Sequence, residues 1–130
     1  MNNVHELCTE FGKILNGKAK LKNGVCSVSI DRNLYVTIQG RLSRGELKAG
    51  FSFESLDQEG RALNLGEVVL LEEEIQSFSK VLIKRGLLVS ALHNHWLFTH
   101  PDIMYIHFQS VEPPLQFAHK AAEALSVLEN

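Results

Sequence analysis

The chain has little cysteine: its 130 residues hold only Cys8 and Cys26, with no CxxC spacing. That excludes a disulfide-rich scaffold and a cysteine-ligated zinc finger. The pair reads as two small buried hydrophobes in a reducing compartment, with a single disulfide as the alternative. No apolar run approaches the roughly 20 residues that cross a bilayer, so no membrane partner is expected. The opening MNNVHELCTEF carries His5, Glu6 and Glu10 where a signal peptide has a basic end and an apolar run. A cytoplasmic location is therefore expected. Neither charge dominates, with 13 Lys and Arg against 15 Asp and Glu, so no large positive field exists to hold phosphates and no nucleic acid is expected as partner. The one basic run, Lys13, Lys18, Lys20 and Lys22, lacks interleaved aromatics and reads as a solvated edge. Glycine-rich phosphate loops and a nucleophile elbow are absent.

What is present is an ordinary globular balance, 45% hydrophobic and 22% charged, in a length that suits one domain over residues 1–130. Val4, Leu7, Cys8, Phe11, Ile14 and Leu15 recur at helical spacing, and Gly17 is placed to end that helix. Packing outranks a nucleophilic role for Cys8. Strand-like runs follow: 18–22, then 25–30 beyond Asn23-Gly24, then 34–39 beyond Asp31-Arg32-Asn33, the last two reading as a meander. Residues 50–56 and 61–71 form a further hairpin around Asp57-Gln58-Glu59-Gly60, where the carboxylates cap their own turn. The segment 72–85 returns to helical period, with Glu72, Glu73 and Glu74 at its positive start and Gly86 as its stop. Both alternate faces of 87–98 are apolar, which predicts an interior strand. Thr99-His100-Pro101-Asp102 is a turn, 103–111 the return strand, and Pro113-Pro114 opens a last helix carrying Leu115, Ala118, Ala121, Ala122, Leu125 and Leu128. Hairpins outnumber any βαβ crossover. The expected class is α+β, a largely antiparallel sheet with an N-terminal, a middle and a C-terminal helix packed against it.

Four of the six histidines fall between residues 93 and 107. Residues two apart in a strand share a face, so His93 and His95 project together. His107 joins them if the hairpin pairs residues whose numbers sum to an even value. Neutral imidazoles suit a divalent ion, zinc first among zinc, iron, nickel and copper, and three of them leave a coordination position open. Glu74 or Glu73 could add a carboxylate as fourth ligand or general base. The alternative is a metal-free set of histidines bonded to one another, Asn94, Tyr105 or backbone. His100 reads as a loop residue, and His5 and His119 as surface positions. The string His93-Asn94-His95 is not the HNH nuclease motif, whose residues are spread along a ββα unit.

Gly86-Leu87-Leu88-Val89-Ser90-Ala91-Leu92-His93-Asn94-His95-Trp96-Leu97, followed by Tyr105-Ile106-His107-Phe108, resembles the LppY/LpqO family of bacterial proteins of unknown function. The resemblance extends more weakly from Phe11-Gly12-Lys13-Ile14-Leu15 through 68–75 to Ala124-Leu125. It implies that His93, Asn94, His95 and His107 are the positions to test, with Glu74 at an acidic position before the middle helix, and it implies no reaction. Named members are mycobacterial lipoproteins anchored through a cysteine after a signal segment; here Cys8 follows Asn2, Asn3, His5 and Glu6, so the envelope location is not carried over.

Three functions follow as expectations. The first is a module that binds a divalent metal or small molecule through His93, His95 and His107, with Asn94, Trp96 and Tyr105 contacting the ligand. The second is a hydrolase or lyase using a metal-bound water there. The third is an interaction protein, a homo-oligomer or one offering a free sheet edge, with structural histidines.

Overall fold

The computed structural model describes residues 3–128; the ends of the expected 1–130 span, residues 1–2 and 129–130, lie outside the described residues. Helix α1 (Val4–Leu15) leads into strands β1 (Lys18–Lys22), β2 (Val25–Asp31), β3 (Val36–Ile38), β4 (Arg41–Ser43), β5 (Lys48–Glu54) and β6 (Ala62–Leu71). A 3-10 turn, Glu72–Glu74, opens helix α2 (Ile75–Lys84); β7 (Leu88–His93), β8 (Thr99–His100), β9 (Ile103–Glu112) and helix α3 (Pro114–Leu125) complete the elements of the described residues. The class is α+β, as expected, with three helices against a mostly antiparallel sheet.

Six strands form one antiparallel sheet in the order β1-β2-β5-β6-β9-β7, and β4-β3-β8 form a second, smaller one. Alternation decides what each face does. Cys26, Val28, Phe51, Phe53, Val68, Leu70, Ile106 and Phe108 point to the helices and join Phe11, Phe78 and Phe117 in the main core. From the opposite face Val69, Ile103 and Tyr105 pack with Val36 and Leu47 in a second core under the small sheet. The small sheet covers only part of that face. Ser27, Ser52, Glu67 and His107 lie on its uncovered part.

Several sequence expectations need correcting. Residues 34–39 do not continue a meander with β2, because Arg32 turns inward: its guanidinium, 1% exposed, meets Glu74, and its backbone N–H donates to the Leu47 carbonyl. That anchor carries the chain across to the small sheet, where β3 pairs with β4 and β8. The turn at 99–102 contains the two residues of β8. The run 87–98 is not interior. Its strand stops at His93 and forms a sheet edge, with Leu88 64%, Val89 38% and Leu92 41% exposed. Alternating apolarity cannot distinguish a strand buried by its own chain from one left open.

The cysteines are buried as expected, but they are bonded to each other, tying α1 to β2. Asn16, in the left-handed region at φ 60°, caps α1 in place of Gly17; Gly17 is needed because a Cβ there would lie 2.6 Å from Val28. Gly86 ends α2 as expected, at φ +80°. No described helix is long and apolar enough to cross a membrane.

Candidate functional site

The hairpin of β7 and β9 carries the histidines. It pairs Ala91 with His107 and His93 with Tyr105, so the residue numbers sum to 198 in both cases. The even register puts His93, Tyr105 and His107 on one face. A bulge lies between Val89 and Ala91; without it the sum would stay at the odd value of the Val89–Phe108 pair and turn His93 to the other side.

The ring of His93 stacks at 4.9 Å on that of His107, and their Nε2 atoms are 2.9 Å apart. His93 Nδ1 is 3.3 Å from the Asn94 carbonyl. A proton on Nδ1 satisfies that carbonyl and leaves the Nε2 lone pair facing His107, an assignment made from the partners. His95 lies just past the strand, its ring 5.5 Å from His93, 5.0 Å from Tyr105 and 4.5 Å from Trp96. Tyr105 thus forms an aromatic floor under both. Its hydroxyl donates to the Glu46 carbonyl, and burial pushes its ionisation above the ordinary tyrosine range, with the charges of Glu46 and Glu67 acting the same way against a lowering hydrogen bond from Trp96.

The carboxylate beside the histidines is Glu67 and not Glu74. Glu67 sits directly across the β6–β9 ladder from His107, with Oε1 3.7 Å from His107 Nε2. Glu74 is buried and faces Arg32 through both oxygens, at 2.7 and 2.8 Å, while Oε1 also accepts from the Leu71 N–H. Its charge completes a structural pair, which corrects its expected place as a ligand or base. Glu73 is exposed at the helix start. The sequence signal for Glu67 was available: within 61–71 it shares parity with Leu63, Leu65 and Val69, away from the Val68 and Leu70 core face. Only the strand order reveals that it meets His107.

Among the described residues, no group of three histidine, cysteine or acidic side chains is arranged to hold a metal ion. The candidate centre is therefore a close His93–His107 pair with Glu67 and His95 at its margins. A groove of about 420 Å³ reaches His107 and Glu67 over Ser27, Ser29, Gly50, Ser52 and Leu65. Asn94 and Trp96 line a different cleft, of about 520 Å³, with Phe98, His100 and Met104; Tyr105 does not line it, so the three expected ligand contacts do not share one cavity. A further cavity, about 760 Å³, lies between the Asp57–Gly60 turn and Pro113–Leu115, and no histidine is among the described residues that line it.

The family described as Domain of Unknown Function (DUF1259) matches residues 9–127. The chain belongs to that family. Its span contains β1 to β9, all three helices bar the first turns of α1, and each residue of the candidate centre. No curated protein and no solved structure matches the chain.

Proposed function

We propose that this chain is a divalent-metal-binding module of the LppY/LpqO kind, in which His93 and His107 supply two Nε2 ligands and Glu67 a carboxylate, with His95 at the margin. The observation that carries the reading is the approach of two Nε2 atoms, 2.9 Å apart, and one carboxylate oxygen 3.7 Å from the second of them, on the uncovered part of a sheet. Two imidazoles on one tetrahedral zinc, with metal–nitrogen distances of about 2.0–2.1 Å, stand roughly 3.3 Å apart. The rings need only spread by a few tenths of an ångström. The Asn94 carbonyl favours the His93 tautomer whose Nε2 lone pair is free, the usual outer support of a metal-bound histidine.

Zinc is the preferred ion for a nitrogen and carboxylate donor set. Three protein donors leave a position for water or a small molecule, which would arrive along the Ser27–Ser52 groove. Hydrolysis or elimination through a bound water is a further step within the same reading. The second reading, a metal-free histidine network, is favoured by the 2.9 Å contact itself, since two imidazoles of which one donates and one accepts already satisfy each other. The buried Cys8–Cys26 bond supports an oxidising compartment over the cytoplasmic one expected from the sequence.

Zinc titration of untagged protein by calorimetry, with elemental analysis, tests the reading. One zinc per chain, lost in His93→Ala and His107→Ala, is expected. No zinc uptake by a folded wild type would leave the metal-free network.

A further inference from the structure

The two edges of the six-stranded sheet are unlike. β1 presents Lys18, Lys20 and Lys22, all exposed, and alternating lysines are a standard guard against strand addition, because a second strand would have to bring their charges together or bury them. β7, at the opposite edge, reads Leu88-Val89-Ser90-Ala91-Leu92-His93 and carries no Lys, Arg, Asp, Glu or Pro. Leu97 and Phe98, in the loop four and five residues beyond its end, are 75% and 70% exposed. An unguarded apolar edge of this kind attracts another strand.

We infer that the occupant is the β7 strand of a second copy of this chain, paired antiparallel across a two-fold axis, so that two six-stranded sheets become one continuous sheet. The strand is self-complementary in the way this needs. A two-fold antiparallel pair centred between Ser90 and Ala91 sets Leu88 opposite His93, Val89 opposite Leu92 and Ser90 opposite Ala91 of the second copy. The faces agree. Val89 and Leu92 pair with Phe108 and Ile106 of β9, which point to the helices, so apolar meets apolar on that side. Leu88 pairs with Gln109 and His93 with Tyr105, which lie on the side away from the helices, so Leu88 of the second copy comes to rest beside His93. A two-fold axis makes the same patch serve both partners and closes the assembly at two, leaving the lysine edges outward. The pairing does not depend on whether the histidines bind metal.

Sedimentation equilibrium of the full chain, with amide hydrogen exchange at dilute and concentrated protein, tests the pairing. A dimer is expected for wild type and for Lys20→Ala, and a monomer with unchanged circular dichroism for Leu88→Lys. Amides of residues 88–93 should exchange at least several-fold more slowly in the concentrated sample. A wild type that stays monomeric at tens of micromolar, a folded Leu88→Lys that still dimerises, or a dimer whose 88–93 amides exchange at the monomer's rate would each overturn the inference. Should Leu88→Lys fail to fold, the wild-type exchange comparison decides alone.

Discussion

His107 lies across one ladder from Glu67 and across the other from Ala91, two residues before His93, whose Nε2 is 2.9 Å from its own. A central strand thus gathers a carboxylate from one neighbour and an imidazole from the other. Only Glu67 comes from a distant part of the sequence; His93 is the other arm of the same hairpin.

The two glutamates should separate cleanly on substitution. Glu74→Gln removes the negative charge from a buried pair with Arg32, which costs about 3–5 kcal/mol. Glu67 is half exposed, so Glu67→Gln should change stability by no more than about 0.5 kcal/mol while weakening zinc binding by at least tenfold, about the loss expected when even an outer partner of a metal ligand is removed. Urea denaturation and zinc titration of both variants check this. Equal destabilisation of the two would contradict the assignment.

Alkaline pH should weaken the fold through Tyr105. Its ionisation is pushed upward in the folded state, chiefly by burial, so folding favours the neutral phenol. That contribution is fully present below the ordinary tyrosine value near 10 and is lost as pH rises through the raised folded value. Tyr105→Phe should cost about 1 kcal/mol at neutral pH through the lost bond to the Glu46 carbonyl, and its stability should fall less steeply above pH 10. Thermal melts of both proteins across the alkaline range, with phenolate absorbance to follow ionisation, measure it.

Much of the fold was legible in the sequence. Phe11 and Phe78 lie on periodic helical stripes, and the three helices and the 61–71 strand stand where the periodicity puts them, while Phe117 of the main core was missed. Parity made the same-face grouping of His93 and His107 conditional on an even register, and the bulge between Val89 and Ala91 supplies that register. Three features were not legible, each for a physical reason. Arg32 looked like a turn residue because its buried partner, Glu74, is 42 positions away. The 87–98 run looked interior because exposure at a sheet edge leaves no mark on local alternation. Glu67 was not singled out because the β6–β9 pairing that gives it His107 is a matter of strand order.

Cys8 and Cys26 should resist alkylation in native, unreduced protein and take up two labels after denaturation with reductant. The bond closes a separation of 18 residues, for which loop-closure entropy gives about 3 kcal/mol. The Cys8→Ala/Cys26→Ala variant should be less stable by about that amount, less any gain from relaxed packing. Two labels on the untreated native protein would show free thiols instead.

Gly66→Ala probes the layer beneath the centre. A Cβ at Gly66 would stand 2.4 Å from the Phe108 ring, next in sequence to His107. The ring must move within a full core, so a loss of about 1–3 kcal/mol is expected, read by urea denaturation.

The most direct measurement is zinc stoichiometry in untagged protein, by elemental analysis after equilibration with zinc and removal of excess, for wild type, His107→Ala and Glu74→Asp. The account predicts about one zinc per chain in wild type and Glu74→Asp and none in a folded His107→Ala. Metal-free wild type, or zinc retained by His107→Ala, would contradict it.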